Sequence, residues 1–362
     1  MKIVIVTNIP APYRLPIYKR LNEKYGDDFL VIYCAKRESN RLWSLDDFGF
    51  NYIFLEENFK EKKDGFNYVH NNPDVFKRLK SFNPDIVITT GFNPTHIYAW
   101  LYATLFMKRH ICMTDGWKRN EEKLSIVHKM VRKIVFRTSK AFIGAGKNSL
   151  DLYRSYKIKD EHLFQSHLCI DNDRFKNNQK FDNREYDLMF SGQFIDIKSP
   201  LFFADVAHKI SKIKKDLKVL ILGDGPLKKV FIDKMNRYKI DYRYVGFVEQ
   251  KELAKYYSSS KLFLFPTKKD AWGVVVNEAM ASGTPVVTTP FAGVVDDLVI
   301  DKKNGYILDI DSDIWAKKSI EILNSPKLWK ELSQNAKESV EKFNFDNATL
   351  GIVEACEYSY EK

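Results

Sequence analysis

The chain has 362 residues, 44% of them hydrophobic and 29% charged. One hydrophobic core rarely covers that length, so two domains are expected, and the composition excludes a disordered chain. The formal net charge of +11 favours anionic partners such as nucleic acid, an acidic membrane surface or a phosphorylated ligand.

The N-terminal "MKIVIVTNIP" has too short an apolar run for a signal peptide and leads directly into a turn. "KIVIVT" reads as a strand, "NIPAPYR" as a loop and "LPIYKRLNEKY" as a helix. Further strands are expected at "FLVIYCA", "NYIFLE", "DIVITT", "HICMT" and "KAFIGA". Such runs, apolar on both faces, suit a parallel sheet covered by helices. The intervening helices "PDVFKRLKSF" and "NPTHIYAWLYATLF" carry Pro73 and Pro94 at first-turn positions. The longest apolar segment, Ile97 to Met107, is about half of what a bilayer span needs. Cys34, Cys112, Cys169 and Cys356 show no C-x-x-C spacing, which leaves zinc and thioredoxin-type chemistry without support.

Trp117 to Lys140 reads as a basic amphipathic helix. Leu124, Val127, Val131 and Ile134 mark one face, and Lys129, Arg132, Lys133, Arg137 and Lys140 mark the other. Two readings stay open, a solvated basic face and docking on anionic lipid. No nucleic-acid-binding motif accompanies it.

Around Asp171 the sequence turns polar and Asn-rich, as a linker would. A second βα series follows, with strands at "YDLMFSG", "KVLILGDG", "YRYVGF", "KLFLFPT", "PVVTT" and "GYILDI". Two Rossmann-like domains facing a cleft are the expected architecture. We place them at residues 1–171 and 172–345, with 346–362 as a helix returning to the first domain.

Within the second series, "LILGDGPLKK" begins a G-x-G-x-x-G, but Lys228 occupies the last glycine position, so a tight βα turn is the better reading. "DIDSD", Asp309 to Asp313, lacks the glycine and glutamate of a calcium loop and reads as a helix N-cap. No metal site is expected. "FSGQFIDIKSP" offers Gly192 for close backbone approach and Lys198 just before a helix, where a cation and free N–H groups can meet a phosphate.

"KKDAWGVVVNEAMASGTPVV", Lys268 to Val287, is the most informative stretch. Asp270 lies in a loop after a buried strand. Gly273 starts a helix, Gly283 ends it, and Glu278 lies about 7–8 Å along its axis. The segment joins a helix N-terminus, which presents phosphate donors, to two carboxylates that accept bonds from hydroxyls. A sugar, a diphosphate and a ribose would fit that spacing. A solvated Asp and a capping Glu would fit it as well.

This stretch resembles the E-x7-E region of retaining glycosyltransferases of family 4, which have the GT-B fold. "FSGQFIDIKSP", "LILGDGP", "YRYVGFVEQKELAKYYSSSKLFLFPT", "PFAGVVDDLVIDKKNGYIL" and "CIDNDRF" agree with that family in order and spacing. The match runs from about Cys112 to Leu308. The resemblance implies an α/β GT-B fold and a UDP- or GDP-sugar donor as substrate, with no further cofactor. Glu278 would bind the ribose hydroxyls, and Asp270 the transferred sugar. The backbone of Ala271, Trp272, Gly273 and Val274 would meet the sugar and diphosphate. Lys198 would neutralise the departing diphosphate, with Gly192, Gln193 and Gly223 beside it and Phe247 and Val248 at the base. The acceptor, a lipid-linked or growing glycan, would bind the first domain near Asn8, Tyr13, Arg14 and Asp115.

Three positions depart from the family pattern. Asp270 stands where a Glu is usual, Gln193 where an Arg is usual, and Asp115 where a His is frequent. Asp115 could be an acceptor-side base, a sugar ligand or a structural Asp. The expected role is in cell-surface polysaccharide synthesis, peripheral on the cytoplasmic face of the membrane. A nucleotide-sugar epimerase of similar fold, and a non-catalytic anion-binding module, are the alternatives.

Overall fold

The structure, a computed structural model, describes residues 1–39, 48–61, 68–122, 124–177 and 179–362. It divides into two compact units, Met1–Leu168 with Phe345–Lys362, and Cys169–Asn344.

The first unit contains β1 (Ile3–Thr7), β2 (Phe29–Tyr33), β3 (Tyr52–Phe54), β4 (Phe59–Glu61), β5 (Tyr68–His70), β6 (Ile86–Thr89), β7 (Arg109–Thr114), β8 (Ala141–Gly144) and β9 (Leu163–Gln165). Seven strands form one sheet in the order β3-β2-β1-β6-β7-β8-β9, and β4 and β5 form a separate antiparallel pair. Every pairing within the seven-stranded sheet is parallel. Val4, Ile5 and Val6 are fully buried, because helices cover both faces of a sheet wound this way. The helix Phe345–Glu361 lies against β7, β8, β9 and the helix Leu15–Tyr25. Arg20 pairs with Asp346 at 2.7 Å, and Arg109 Nε donates to the Ser359 carbonyl at 2.9 Å.

The second unit contains β10 (Tyr186–Ser191), β11 (Lys218–Leu222), β12 (Asp241–Gly246), β13 (Ser260–Phe265), β14 (Val286–Thr288) and β15 (Gly305–Ile307), in the order β12-β11-β10-β13-β14-β15. All its pairings are parallel. In both sheets the chain winds outward from a central strand and then restarts beside it. That leaves a switch point next to β1 and another between β10 and β13, where ligands bind in doubly wound folds. The second core is aromatic, with Phe190, Phe194, Phe203, Phe231 and Trp315 buried together. Arg184, just before β10, is buried and donates to the Ser260 and Ser282 carbonyls at 2.7 and 2.8 Å and to Thr284 Oγ1 at 2.7 Å. Burial pulls its guanidinium down to about 10. It ties β10, β13 and the turn after helix 274–281 together at one end of the sheet.

The expected calcium-loop mimic is a helix start. Asp311 accepts from the N–H groups of Asp313 and Ile314 at 2.8 and 3.1 Å and caps the helix Ser312–Leu323. All four cysteines are buried, and none forms a disulfide.

Candidate functional site

The loops after β10 and β13 meet at the switch point of the second unit. Lys268 N–H and Thr267 Oγ1 both donate to the Ile197 carbonyl, at 2.7 and 3.2 Å. Lys268 Nζ reaches both carboxylate oxygens of Asp196 at 2.8 and 2.9 Å. Between these ties the Lys198 ammonium pairs with the Asp270 carboxylate, and their side chains are only 22% and 15% exposed. Lys198 also lies over the Phe265 ring, 5.4 Å from its centroid. Ser199, which follows it, is left-handed at φ 52°, a conformation disfavoured outside glycine. The chain thus turns sharply from Lys198 into the helix Pro200–Ser211. Asp270 is equally fixed: its N–H donates to the Phe291 carbonyl at 3.0 Å, and its carboxylate accepts from Trp272 N–H at 3.2 Å.

Gly273 caps the helix Val274–Ala281 at φ 106°, and a Cβ there would lie 2.8 Å from the Phe265 ring. Only glycine supplies both the conformation and the space. The Trp272 indole is buried and donates to Asn277 Oδ1 at 2.9 Å, which holds the loop against its own helix. The first-turn N–H groups of this helix have no partner within it and carry its positive dipole end. Those of Val274 and Val275 follow Asp270 by four and five residues in sequence.

Glu278 lies on the inward face of that helix at 5% exposure. The Tyr257 hydroxyl nearby donates to Ser191 Oγ at 3.1 Å. Burial pushes Glu278 up to about 7. Sequence reasoning missed Tyr257 and Ser191. Tyr257 sits in an ordinary-looking helix, Gln250–Ser258, and Ser191 ends a strand. Only the register of "FSG" against "AKYYSS" could have hinted at their meeting.

The neighbouring loops complete this edge. A Cβ on Gly223 would sit 1.9 Å from the Gly192 carbonyl oxygen, so the turns after β10 and β11 touch backbone to backbone. Gly223 N–H donates to the Gly246 carbonyl at 2.7 Å, which brings the end of β12 alongside. Phe247 follows, about half exposed, with Val248 partly buried beside it in sequence. Gln193 is partly buried. The predicted donor-side residues therefore share one sheet edge.

In the first unit, Arg14 is buried beneath the loop that follows β1. Its Nη2 lies 2.8 Å from Asp115 Oδ1, and its Nη1 donates to Ser166 Oγ at 3.2 Å. Asp115, after β7, is about one-third exposed. Arg14 thus holds Asp115 from below and is not an open surface ligand. Asn8 accepts from Asn93 Nδ2 at 3.3 Å, and Tyr13 is half-buried.

The expected basic helix needs correction. The segment folds as two helices, Lys118–Glu121 and Ile126–Thr138, with Ser125 capping the second. Arg132 is buried: its Nε lies 2.9 Å from Glu121 Oε1, and its guanidinium stacks 4.2 Å from the Phe92 centroid. Val127 and Ile134 do not face the core. With Ile126 and Met130 they are more than half exposed, while Val135 and Phe136 pack inward. A long stem, a carboxylate partner and an aromatic face let an arginine occupy an inward position, and that rotates the helix from the orientation its pattern suggests. Lys129, Lys133, Arg137 and Lys140 remain exposed. Among the described residues, no helix is long and apolar enough to cross a membrane.

Residues 171–339 match the model of the family "Glycosyl transferases group 1". The N-acetyl-alpha-D-glucosaminyl L-malate synthase of Bacillus anthracis is 26% identical over 197 residues, 54% of this chain and 50% of that protein. A Campylobacter jejuni N-acetyl-D-galactosaminyltransferase acting on a PP-undecaprenol-linked glycan is 22% identical over 274 residues, 75% of this chain and 74% of that protein. The chain spans about half the length of the first curated relatives it matches. Among solved structures, the Anabaena protein HepE in complex with UDP superposes with a TM-score of 0.79 at 15% identity, covering 99% of this chain and 100% of that one. The segment 171–339 is thus similar to the group 1 glycosyl transferases, and the chain that carries it has the GT-B fold.

Proposed function

We propose that this chain transfers a hexosyl group from a nucleotide sugar to a glycan or lipid-linked acceptor, with retention of configuration, in cell-surface polysaccharide synthesis such as lipopolysaccharide or capsule. The Lys198–Asp270 pair at the second switch point carries the reading. An anionic diphosphate placed at the N-terminus of helix 274–281 takes Lys198 as its counter-charge. Asp270, released from that pair, accepts hydrogen bonds from hydroxyls of the transferred sugar. Glu278 accepts from the ribose hydroxyls, and Phe247 and Val248 border the base.

In this reading the acceptor oxygen bonds to the anomeric carbon as the bond to the diphosphate breaks on the same face. The acceptor proton passes to the departing phosphate oxygen. The protein supplies orientation and charge stabilisation, not a covalent nucleophile. Lys198 and the helix N–H groups meet the diphosphate charge, so the reaction is metal-independent. Asp115, clamped by Arg14, orients an acceptor hydroxyl. UDP is the favoured nucleotide on the likeness to HepE, with GDP the alternative. The Campylobacter relative, named for an acceptor on PP-undecaprenol, supports a lipid-linked acceptor. The exposed apolar and basic face of helix 126–138 supports work at an anionic membrane surface, on its cytoplasmic side.

A donor screen tests the proposal. Purified protein is given UDP- and GDP-sugars with a polyprenyl-diphosphate glycan, in buffer with EDTA, and the product anomer is assigned by NMR. An α-linked product from an α-linked donor is expected. Interconversion of the donor sugar without transfer would instead mark an epimerase. Tight nucleotide binding with no turnover of any donor would mark a non-catalytic binding module.

A further inference from the structure

The helix Pro94–Leu105 follows β6, which lies beside β1 at the switch point of the first unit. Its N-cap is Asn93, a residue type whose side chain usually accepts from the second or third N–H of the helix. Here the side chain makes no capping bond. Asn93 Nδ2 instead donates to Asn8 Oδ1, in the loop after β1, at 3.3 Å. The second and third helical residues are Thr95 and His96. Among the described residues, no group accepts from the backbone N–H of either. Both residues are buried, at 0% and 1% exposure. The Thr95 hydroxyl is already engaged: it accepts from Asn72 N–H at 2.9 Å and donates to Asn72 Oδ1 at 2.8 Å.

The His96 ring lies at the same spot, and neither of its nitrogens has a hydrogen-bond partner. Burial pulls it down to about 3, so near pH 7 the ring is neutral, with one N–H to donate. Helical side chains tilt toward the N-terminus. This one reaches back to the loop before the helix: a Cβ on Gly91 would lie 3.2 Å from His96 Cε1 and 3.3 Å from its Nδ1. Glycine therefore leaves that ring edge uncovered, beneath a loop, 91–94, that is half-exposed. The acids on neighbouring elements are engaged. Glu38 is 3.0 Å from Nε2 of His70, on β5, and Asp74 accepts from Glu56 N–H at 3.1 Å. Buried polar groups are nearly all satisfied, and here two backbone N–H groups and an imidazole converge unsatisfied on a positive dipole end. We propose that this corner is a phosphate subsite of the first unit, whose oxygens accept from the Thr95 and His96 N–H groups and from the His96 ring. A helix N-terminus binds anions, and donors from three directions suit the several acceptor oxygens of a phosphate. The subsite shares no residue with the donor site. Its phosphate can belong to a lipid-linked acceptor or to a free phosphate.

The test uses the full chain with isotope-labelled histidine and threonine, and with UDP added in excess so that the donor site is filled. Inorganic phosphate is titrated against the NMR signals of the Thr95 and His96 amides and the His96 ring, with chloride at equal ionic strength as the control. A soluble short-chain polyprenyl diphosphate is the second probe. Saturable shifts of all three signals with phosphate, and none with chloride, are expected. His96→Phe keeps the bulk of the ring and should weaken phosphate binding several-fold. Asn93→Asp sets a carboxylate at the open cap and should weaken it further while Tm holds or rises. UDP affinity should not change in either variant. Tighter binding of the polyprenyl diphosphate assigns the subsite to a lipid-linked acceptor, and equal binding assigns it to a free phosphate. Signals that move with neither probe overturn the proposal, as does an unchanged phosphate affinity in Asn93→Asp. Protein that binds no UDP but still shows these shifts loses the donor reading and keeps the subsite.

Discussion

The Lys198 ammonium and the Asp270 carboxylate, 72 residues apart in sequence, form a largely buried ion pair where the loops after β10 and β13 meet. Such a pair is weak evidence for stability, because desolvation offsets much of its attraction. It is well suited to exchange, since a diphosphate can take the lysine and a sugar hydroxyl the aspartate. Lys198→Ala is expected to lower kcat by about 10²–10³, the usual cost of losing one donor to developing charge. Donor KM should change much less. Steady-state kinetics decide this, and a variant with unchanged kcat removes Lys198 from the chemistry.

Asp270→Asn keeps the shape of the side chain and removes its charge. Lys198 then has no carboxylate partner in the empty site and meets the diphosphate more tightly. Product UDP is therefore expected to bind better in Asp270→Asn while turnover falls. Calorimetry with UDP reads the first effect and initial rates the second. Weaker UDP binding would contradict the exchange of partners.

Glu278 links the site to stability. Its carboxyl titrates near 7 in the fold against a usual 4.5, so between those values the folded chain holds a proton that the unfolded chain has lost. Stability therefore falls as pH rises through that window and levels off above it. The full drop is about 3 kcal/mol at 1.36 kcal/mol per pKa unit. Glu278→Gln should remove this slope, which denaturant titrations at pH 5, 6, 7 and 8 would show. In wild type, donor affinity should rise over the same window as Glu278 ionises.

Much of this arrangement was readable in the sequence. Continuous apolar strands alternating with helices indicated two parallel sheets, because burial on both faces leaves no other composition. The juxtaposition of the proposed donor-side residues was readable because they cluster in short strand–loop–helix segments whose geometry is local. What stayed hidden depends on contacts between distant segments. Arg14 under Asp115 and Tyr257 against Ser191 are pairings that only the sheet order creates. Arg132 misled because periodicity assigns charges outward, whereas a break in the helix brings Glu121, on the separate turn Lys118–Glu121, and Phe92 against it.

The Arg14–Asp115 pair predicts a separation of effects within the first unit. Asp115→Asn should raise acceptor KM and lower kcat about tenfold or more while leaving UDP affinity unchanged. Arg14→Lys loses the two-armed grip on Asp115 and Ser166 and should give a milder version of the same pattern. Competition with UDP, together with acceptor saturation curves, separates the two. Altered UDP affinity in Asp115→Asn would place this residue outside the acceptor site.

The corrected face of helix 126–138 sharpens one of the two readings that the sequence pattern left open. Ile126, Val127, Met130 and Ile134 are exposed beside Lys129, Lys133 and Arg137, so apolar insertion and charge act together. Wild type should float with vesicles containing anionic phosphatidylglycerol and stay behind with neutral phosphatidylcholine. Replacing Lys129, Lys133 and Arg137 with Gln should cost about 1 kcal/mol per charge at low salt, with less effect at high salt, where surface charges are screened. Replacing Ile126, Met130 and Ile134 with Ser should weaken flotation at every salt concentration. Arg132→Gln should behave differently from all of these. It removes the ion-pair partner of the largely buried Glu121, so it should lower Tm and cost about 3–5 kcal/mol while the exposed docking residues remain in place. Unchanged flotation after both surface replacements would remove the membrane from this face.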